Sequence, residues 1–177
     1  MNAPFAFLPP PRRNRWMKIA IVLALGMTLF FNLTGGPLQT AVAPAGILSF
    51  EFAGNVMRSQ AMIASWGEHG RLVAAFGLGL DFLYPLVYAS AISLACVWAA
   101  ERVQPKSPAA AKWGIWLAWG VWLAALLDYV ENVALVLLLF GSTAVLLPPL
   151  AFICAAIKFG LILAGIFYVL IAWLLFR

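Results

Sequence analysis

Long apolar runs separated by short polar connections organise this chain. The runs lie within residues 16–34, 72–100, 113–140 and 147–176. Each run is close to, or longer than, the roughly 20 residues that cross about 30 Å of hydrocarbon as a helix. The pattern therefore predicts an all-α fold, a polytopic membrane four-helix bundle that forms a single transmembrane domain over residues 1–177.

The connection between the first two runs is the longest, and its second part is amphipathic. Within residues 47–66 apolar side chains recur at helical spacing, with polar side chains between them. The apolar positions are Phe52, Val56, Ile63 and Trp66. We predict an amphipathic helix in this outer connection, which either lies in the interface plane or dips into the mouth of the bundle.

Composition excludes a soluble domain and changes how the net charge is interpreted. The chain is 65% hydrophobic and 10% charged, whereas soluble domains carry about 25% charged residues. A net charge of +5 is then a signal of membrane topology and not of affinity for nucleic acid. Membrane lipids are the expected immediate partners, and no nucleic acid is expected.

The positions of the basic residues predict the topology. They cluster at the N-terminus, around the start of the first run, and in the connection 101–112, at Arg12, Arg13, Arg15, Lys18, Arg102, Lys106 and Lys112. Both clusters belong in the cytoplasm by the positive-inside rule, and the connection 35–71 has no positive excess. Four crossings then place both termini inside, in a multi-pass protein of the inner (cytoplasmic) membrane.

A cleaved signal peptide is the alternative interpretation of the first run. Ala41-Val42-Ala43 resembles a small-residue cleavage site. Pro44 follows it directly, and further apolar runs come after, so we favour an uncleaved span.

The sequence gives little support for a disulfide, a haem site or a zinc site. Cys96 and Cys154 form no CxxC pair, and the topology separates them by more than the ~7 Å that a disulfide allows between Cα atoms. His69 is the lone histidine, which excludes a bis-histidine haem, and no His/Cys set suits zinc. We predict no metal site and no cofactor.

Ionisable residues inside the apolar runs are the best pointer to function. A charge at mid-bilayer costs roughly 2.5 to 17 kcal/mol, so such residues usually face a bundle interior and mark functional sites. Asp128, Glu131 and Asn132 are spaced i, i+3 and i+4 and share one helix face. Two ionised carboxylates there would repel, so either they share a proton or a cation lies beside them.

A second polar pattern surrounds a proline. Asp81, Tyr84 and Tyr88 are spaced i, i+3 and i+7 and would share a helix face. Pro85 removes the hydrogen bond to the carbonyl of Asp81 and can kink the helix. That freed carbonyl is a candidate acceptor for a ligand or a tyrosine hydroxyl.

Lys158 is the basic residue that lies deep within an apolar run, the fourth one. At ~1.5 Å per residue, Asp81, Glu131 and Lys158 lie on the order of 10–16 Å below the outer surface, with Asp128 about one turn deeper. We expect Lys158 to be the internal counter-ion. Two negative charges would remain, to be offset by a proton, a cation, or an arginine from the outer connection.

Two further features concern helix contact and access. A small-residue face of the fourth run, formed by Ala156, Gly160 and Ala164, favours close helix contact. Glu51 and Arg58 of the amphipathic segment are a possible lid over the acids.

Three motifs of the chain resemble those of a group of uncharacterised bacterial four-span membrane proteins. They are Phe50-Glu51-Phe52-Ala53, Leu80-Asp81-Phe82-Leu83-Tyr84-Pro85 and Leu127-Asp128-Tyr129-Val130-Glu131-Asn132. The layout is also similar to the four-helix sterol-binding and sterol-isomerase superfamily, whose intramembrane acids line a lipid pocket. No motif of that superfamily matches residue by residue, so the similarity implies a pocket and nothing further.

The leading hypothesis is a buried acidic pocket for a lipid-like or small cationic ligand, a proton or a cation. Its ligand-binding residues would be Asp81, Tyr84, Tyr88, Asp128, Glu131, Asn132 and Lys158. One alternative is an accessory or assembly subunit of a larger membrane complex, or a homo-oligomer. Another is a membrane enzyme that uses a carboxylate as general acid or base on a hydrophobic substrate.

Overall fold

The protein is helical throughout the part that the structure describes. This structure, a computed structural model, describes residues 2–175, and 79% of the chain is helical with no strand in that range. The all-α prediction is confirmed. The predicted fourth run ends at Phe176, which with Arg177 lies outside the described residues. The helices are α1 Pro10–Thr34, a 3-10 turn Gly36–Leu38, α2 Ile47–Glu51, α3 Val56–Ser65, α4 Gly67–Leu80, α5 Tyr84–Val103, α6 Pro108–Leu139 and α7 Leu147–Leu175.

Four of these helices, α1, α5, α6 and α7, are long and apolar enough to cross a membrane. Their apolar side chains are not all packed inside the protein. On α1, for example, Val22, Leu25 and Leu29 are exposed, while Ala20 is buried. A helix that is apolar around its whole circumference suits a lipid environment.

The second predicted span is interrupted, so the prediction of one helix over residues 72–100 was wrong. Helix α4 ends at Leu80 and α5 begins at Tyr84, with turns between them. Pro85 lacks the N–H that would continue the helical hydrogen bonds to Asp81. Tyr84 and Tyr88 therefore lie on α5, whereas Asp81 lies at the junction before it.

The outer connection forms two helices, so the single amphipathic helix predicted over residues 47–66 was also wrong. Gly54 separates α2 from α3 and adopts a left-handed conformation, with φ +72°. Asn55 then caps α3, because its Oδ1 accepts a hydrogen bond from the backbone N–H of Arg58 at 2.9 Å. Glycine tolerates positive φ and asparagine favours the N-cap, so two local preferences outweigh the helical periodicity.

Two compact units divide the described chain. Unit 1 comprises residues 2–25, 85–126 and 158–175. Unit 2 comprises residues 26–84 and 127–157.

The outer connection contributes to the core of unit 2. The indole Nε1 of Trp66 donates to the carbonyl of Leu38 at 2.8 Å, and its ring packs edge-on against Phe50, 5.2 Å away. Phe50 is buried in the same apolar cluster as Leu135 and Leu138 of α6. This segment is therefore packed into unit 2. A helix lying at the periphery in the interface plane, which was one predicted alternative, would not make these contacts.

The N-terminal segment before α1 packs within unit 1. Trp119 Nε1 donates to the carbonyl of Asn2 at 3.1 Å, and the ring of Phe5 lies 6.0 Å from that of Trp122. The segment packs on α6, and α1 begins at Pro10, earlier than the first apolar run. Proline suits the first turn of a helix because it needs no hydrogen-bond acceptor there.

We predict that the left-handed glycine between α2 and α3 is required for stability. Gly54→Ala should lower the free energy of unfolding by about 1–2 kcal/mol, because a Cβ disfavours positive φ. Gly26→Ala, in the interior of α1 with open space around the added methyl, should instead raise it by up to about 1 kcal/mol. Denaturant unfolding in detergent measures both, and equal effects would contradict the explanation.

Candidate functional site

Asp128, Glu131 and Asn132 occupy one buried face of α6, as their spacing predicts. Their exposed fractions are 2%, 0% and 1%. Helix α6 is continuous from Pro108 to Leu139, so the i, i+3, i+4 spacing holds without interruption. The three side chains form what we call the α6 polar cluster, and they lie in unit 2.

The same part of α6 exposes its apolar side chains. Val130 and Val133, which alternate with the cluster in sequence, are about half exposed. A water-soluble helix would have the opposite arrangement, with carboxylates outside and valines inside. Where lipid is the solvent, the low cost of exposing valine and the high cost of exposing charge explain this orientation.

Asn132 satisfies the carbonyl that Pro85 frees. Its side-chain Nδ2 donates to the backbone carbonyl of Asp81 at 3.3 Å. The freed carbonyl was predicted to accept from a ligand or a tyrosine, and the donor is instead an amide of α6. A buried carbonyl without a partner is costly, so this contact stabilises the interruption between α4 and α5.

This contact also determines how the amide of Asn132 is oriented. Since a carbonyl can accept only from the NH₂ group, the side-chain oxygen points away from Asp81. Residues 2–175 supply no hydrogen-bond donor to this buried Oδ1. Asn132 therefore offers an acceptor oxygen inside the protein, one helical turn from Asp128 on the same face.

The remaining aromatic contacts around the junction orient its side chains. Phe82 stacks on Tyr129 of α6 at 6.1 Å between ring centroids. Tyr84 is half-buried, and its hydroxyl shares a hydrogen bond of 2.7 Å with the hydroxyl of Thr28. Its ring packs edge-on against Phe31, 5.5 Å away, so Tyr84 connects the junction to the second half of α1.

Two predicted site residues belong to unit 1. Tyr88 is buried on α5, and Lys158 is buried on α7 with its Nζ 5.1 Å from the centroid of the Phe159 ring. The burial of Lys158 agrees with an internal role. A side chain that extended to the surface would be more exposed. Its pairing with the carboxylates of unit 2 stays a prediction.

The two predicted lid residues lie in different environments. Glu51 ends α2 and is buried, whereas Arg58 lies in the first turn of α3 and is exposed. Glu51 is therefore a further buried carboxylate of unit 2. Its charge alone would have predicted an exposed position. A signal was available in its neighbour, because Phe50 is an apolar residue whose burial brings the short helix α2 inside.

Charge is unevenly distributed between the units. Unit 2 contains five of the six acidic residues and two of the eleven lysines and arginines. Those two, Arg58 and Arg71, are exposed, so no basic side chain that belongs to residues 26–84 or 127–157 is buried. The buried carboxylates of unit 2 thus lie in a region with an excess of negative charge.

Within residues 2–175, no three His, Cys, Asp or Glu side chains are close enough together to hold a metal ion. The arrangement of the α6 polar cluster instead suits a ligand that one carboxylate and neighbouring oxygens can hold, such as a proton or a small monovalent cation.

Comparisons with protein-family models, with curated proteins and with solved structures find no match for this chain.

We predict that the Asn132 contact contributes to stability through its partly buried carbonyl partner. Asn132→Leu preserves the approximate volume but leaves the Asp81 carbonyl without its donor, so the free energy of unfolding should fall by about 1–3 kcal/mol. The matched control is Asn32→Leu on α1, because the amide of Asn32 is exposed and donates within its own helix. That control should change stability by no more than about 0.5 kcal/mol. Equal losses in denaturant unfolding would show that the Asp81 contact is unimportant.

Proposed function

We propose that this protein is a four-span inner-membrane protein whose α6 polar cluster binds a small cation, either a proton or an alkali metal ion. Asp128 and Glu131 supply negative charge, and Asn132 supplies a neutral oxygen. Lys158 would be a competing internal cation. The observation that carries the proposal is the burial of two carboxylates and an unsatisfied amide oxygen on one helix face.

Chemistry supports a cation as the ligand. Carboxylate and amide oxygens are the ligands that hard cations prefer. A buried acceptor oxygen without a donor costs free energy, and a bound cation or proton-bearing group would recover part of that cost. A bound cation would also reduce the negative charge of unit 2, which contains five acidic and two basic residues.

The close packing of the cluster supports a small ligand. Glu131 has no exposed surface, and Asp128 and Asn132 have almost none. A lipid-like ligand would need contact area along these side chains. A proton needs none, and an alkali ion needs space for one atom and its oxygen ligands.

Contacts within each unit support the proposed topology, with both termini in the cytoplasm. In unit 1, Arg13 forms an ion pair with Glu101, which joins the basic N-terminal region to the basic connection after α5. In unit 2, Gln60 Nε2 donates to the carbonyl of Ser142 at 3.4 Å, which joins the outer connection to the turn between α6 and α7. Charge predicted the cytoplasmic side for the first pair of connections, and the count of four crossings predicted a common, opposite side for the second pair.

We expect cation-dependent stability that requires the carboxylates. The thermal unfolding midpoint of the purified protein in neutral detergent would be measured against NaCl, KCl and choline chloride at fixed pH, and against pH at fixed salt. An alkali ion that binds the folded state should stabilise it by about 2.7 kcal/mol at a hundredfold excess over Kd. Glu131→Gln and Asp128→Asn should abolish this dependence, because each removes a charged ligand.

The control for this experiment is Glu68→Gln, since Glu68 is an exposed acid in the first turn of α4. It should retain the response of the wild type. A response to sodium or potassium over choline identifies an alkali ion, and a response to pH alone identifies a proton. If the Glu131 and Asp128 variants respond to both titrations as the wild type does, the proposed site is excluded.

A second candidate function is that of a subunit in a larger membrane complex. The small-residue face predicted for helix contact is exposed on α7, at Ala156, Gly160 and Ala164. A Cβ added at Gly160 would meet nothing within 4 Å, so this chain leaves space there. In membranes such faces allow another helix to approach closely.

Purification in mild detergent distinguishes the second candidate from the first. A subunit should co-purify with a partner at fixed stoichiometry, and Gly160→Leu should release that partner because its side chain fills the contact. Gly120→Leu is unsuitable as a control, since Leu161 already lies 3.4 Å from the position of its Cβ. Leu163→Ile, at an exposed site on the same helix, alters shape without adding volume. An isolated chain that is monodisperse would contradict this candidate.

A further inference from the structure

An apolar groove lies within unit 1, away from the α6 polar cluster in sequence. It has a volume of about 290 Å³ and is formed by the end of α5, the start of α6 and the end of α7. The residues that line it are Val103, Ala110, Trp113, Tyr168, Ile171 and Ala172.

The lining offers no polar group to an occupant. Tyr168 is the residue of the lining with a side-chain hydroxyl, and this hydroxyl donates to the backbone carbonyl of Ala110 at 3.1 Å. A side chain at Gly114 would overlap the Tyr168 ring, so this glycine lets the ring lie directly on α6. With its hydroxyl already bonded, the ring presents carbon to the groove. An occupant must therefore be hydrocarbon.

The small size of the groove suits a single chain. Small-molecule pockets have volumes of about 300–1,000 Å³, and this groove, at about 290 Å³, is slightly smaller. One lipid acyl chain is unbranched hydrocarbon, which matches the chemistry of the lining.

The sequence beside the groove is basic. Arg102 directly precedes Val103 of the lining, and its guanidinium lies 4.2 Å from the centre of the Trp98 ring. Lys112 directly precedes Trp113 and is exposed. Lys106 is exposed in the turn between α5 and α6. Basic residues next to a gap between membrane helices recognise anionic lipid headgroups.

The acid next to this basic sequence has its own partner. Glu101 forms an ion pair with Arg13 of α1, so its carboxylate is already compensated. Trp113 itself is largely exposed at the edge of the groove, and tryptophan favours the headgroup level of a bilayer. Apolar lining, positive charge and an interfacial indole therefore occur together in one region of unit 1.

We propose that this groove binds one acyl chain of an anionic phospholipid, whose phosphate contacts Arg102, Lys106 and Lys112. The acyl chain supplies the hydrocarbon that the lining requires. The phosphate would add negative charge beside the basic connection. This site is distinct from the α6 polar cluster and does not depend on the function proposed for it.

Lipid titration of the full-length protein in neutral detergent tests the proposal. Phosphatidylglycerol and phosphatidylcholine with identical acyl chains would be added, and the thermal midpoint and the number of bound lipids by native mass spectrometry would be recorded. We expect one lipid per chain to bind preferentially, with a larger rise in midpoint for phosphatidylglycerol. Equal effects of the two lipids would overturn the role of the phosphate contacts.

Matched variants separate the groove from general adsorption. Ala172→Trp fills the groove and should abolish binding of that one lipid, whereas Ala164→Trp places the same side chain on the exposed surface of α7 and should retain it. Lys112→Gln should weaken binding of phosphatidylglycerol about fivefold, since each basic residue near an anionic headgroup contributes about 1 kcal/mol. Arg12→Gln, an exposed basic residue of α1, should have a much smaller effect.

Two outcomes would overturn the proposal. Retention of the preferential lipid in Ala172→Trp would exclude the groove. An equal loss in Arg12→Gln and Lys112→Gln would show that net charge alone attracts the lipid. Lys106 and Lys112 are exposed, so their glutamine variants should fold and keep the test decisive even if Ala172→Trp does not.

Discussion

The absence of water from hydrocarbon is the constraint on which the rest of this structure depends. Every backbone group that leaves a helical hydrogen bond must find another partner inside the protein. Pro85 frees the carbonyl of Asp81 between α4 and α5, and the amide of Asn132 donates to it. One missing N–H therefore determines where a polar side chain of α6 points, and with it the orientation of the amide oxygen beside Asp128.

The same constraint accounts for the distribution of charge. Carboxylates on α6 face inward while valines face outward, because exposing valine to lipid costs little. Basic residues concentrate in unit 1 and acidic residues in unit 2. The Arg13–Glu101 pair and the apolar groove with its basic connection belong to the first unit, whereas the buried carboxylates belong to the second. We thus propose a different ligand for each unit: an anionic phospholipid for unit 1 and a small cation for unit 2.

Features repeated along the chain could be predicted from sequence, and features set by one residue were harder to predict. Hydrophobic length indicated the four long helices, and helical period placed Asp128, Glu131 and Asn132 on one face. The interruption at Pro85 was foreseen as a kink, but its partner Asn132 lies 51 positions away and no local pattern pairs them. Gly54 and Asn55 divide the outer connection, because a left-handed glycine and an N-cap override apolar periodicity. The burial of Glu51 follows from the packing of Phe50 on Trp66, which only the tertiary structure defines.

Packing alone does not require acids on this face of α6. The buried stripe that contains Asp128, Glu131 and Asn132 continues along the helix with Leu135 and Leu138, which are also fully buried. Unit 2 therefore accepts leucine on the same face one to two turns later. Replacing buried ionic groups by apolar side chains is often neutral or stabilising, so an apolar stripe throughout would serve packing equally well. Asn132 has a structural task at the Asp81 carbonyl. For Asp128 and Glu131, which are buried on the same face, we propose that the negative charge serves to bind a ligand.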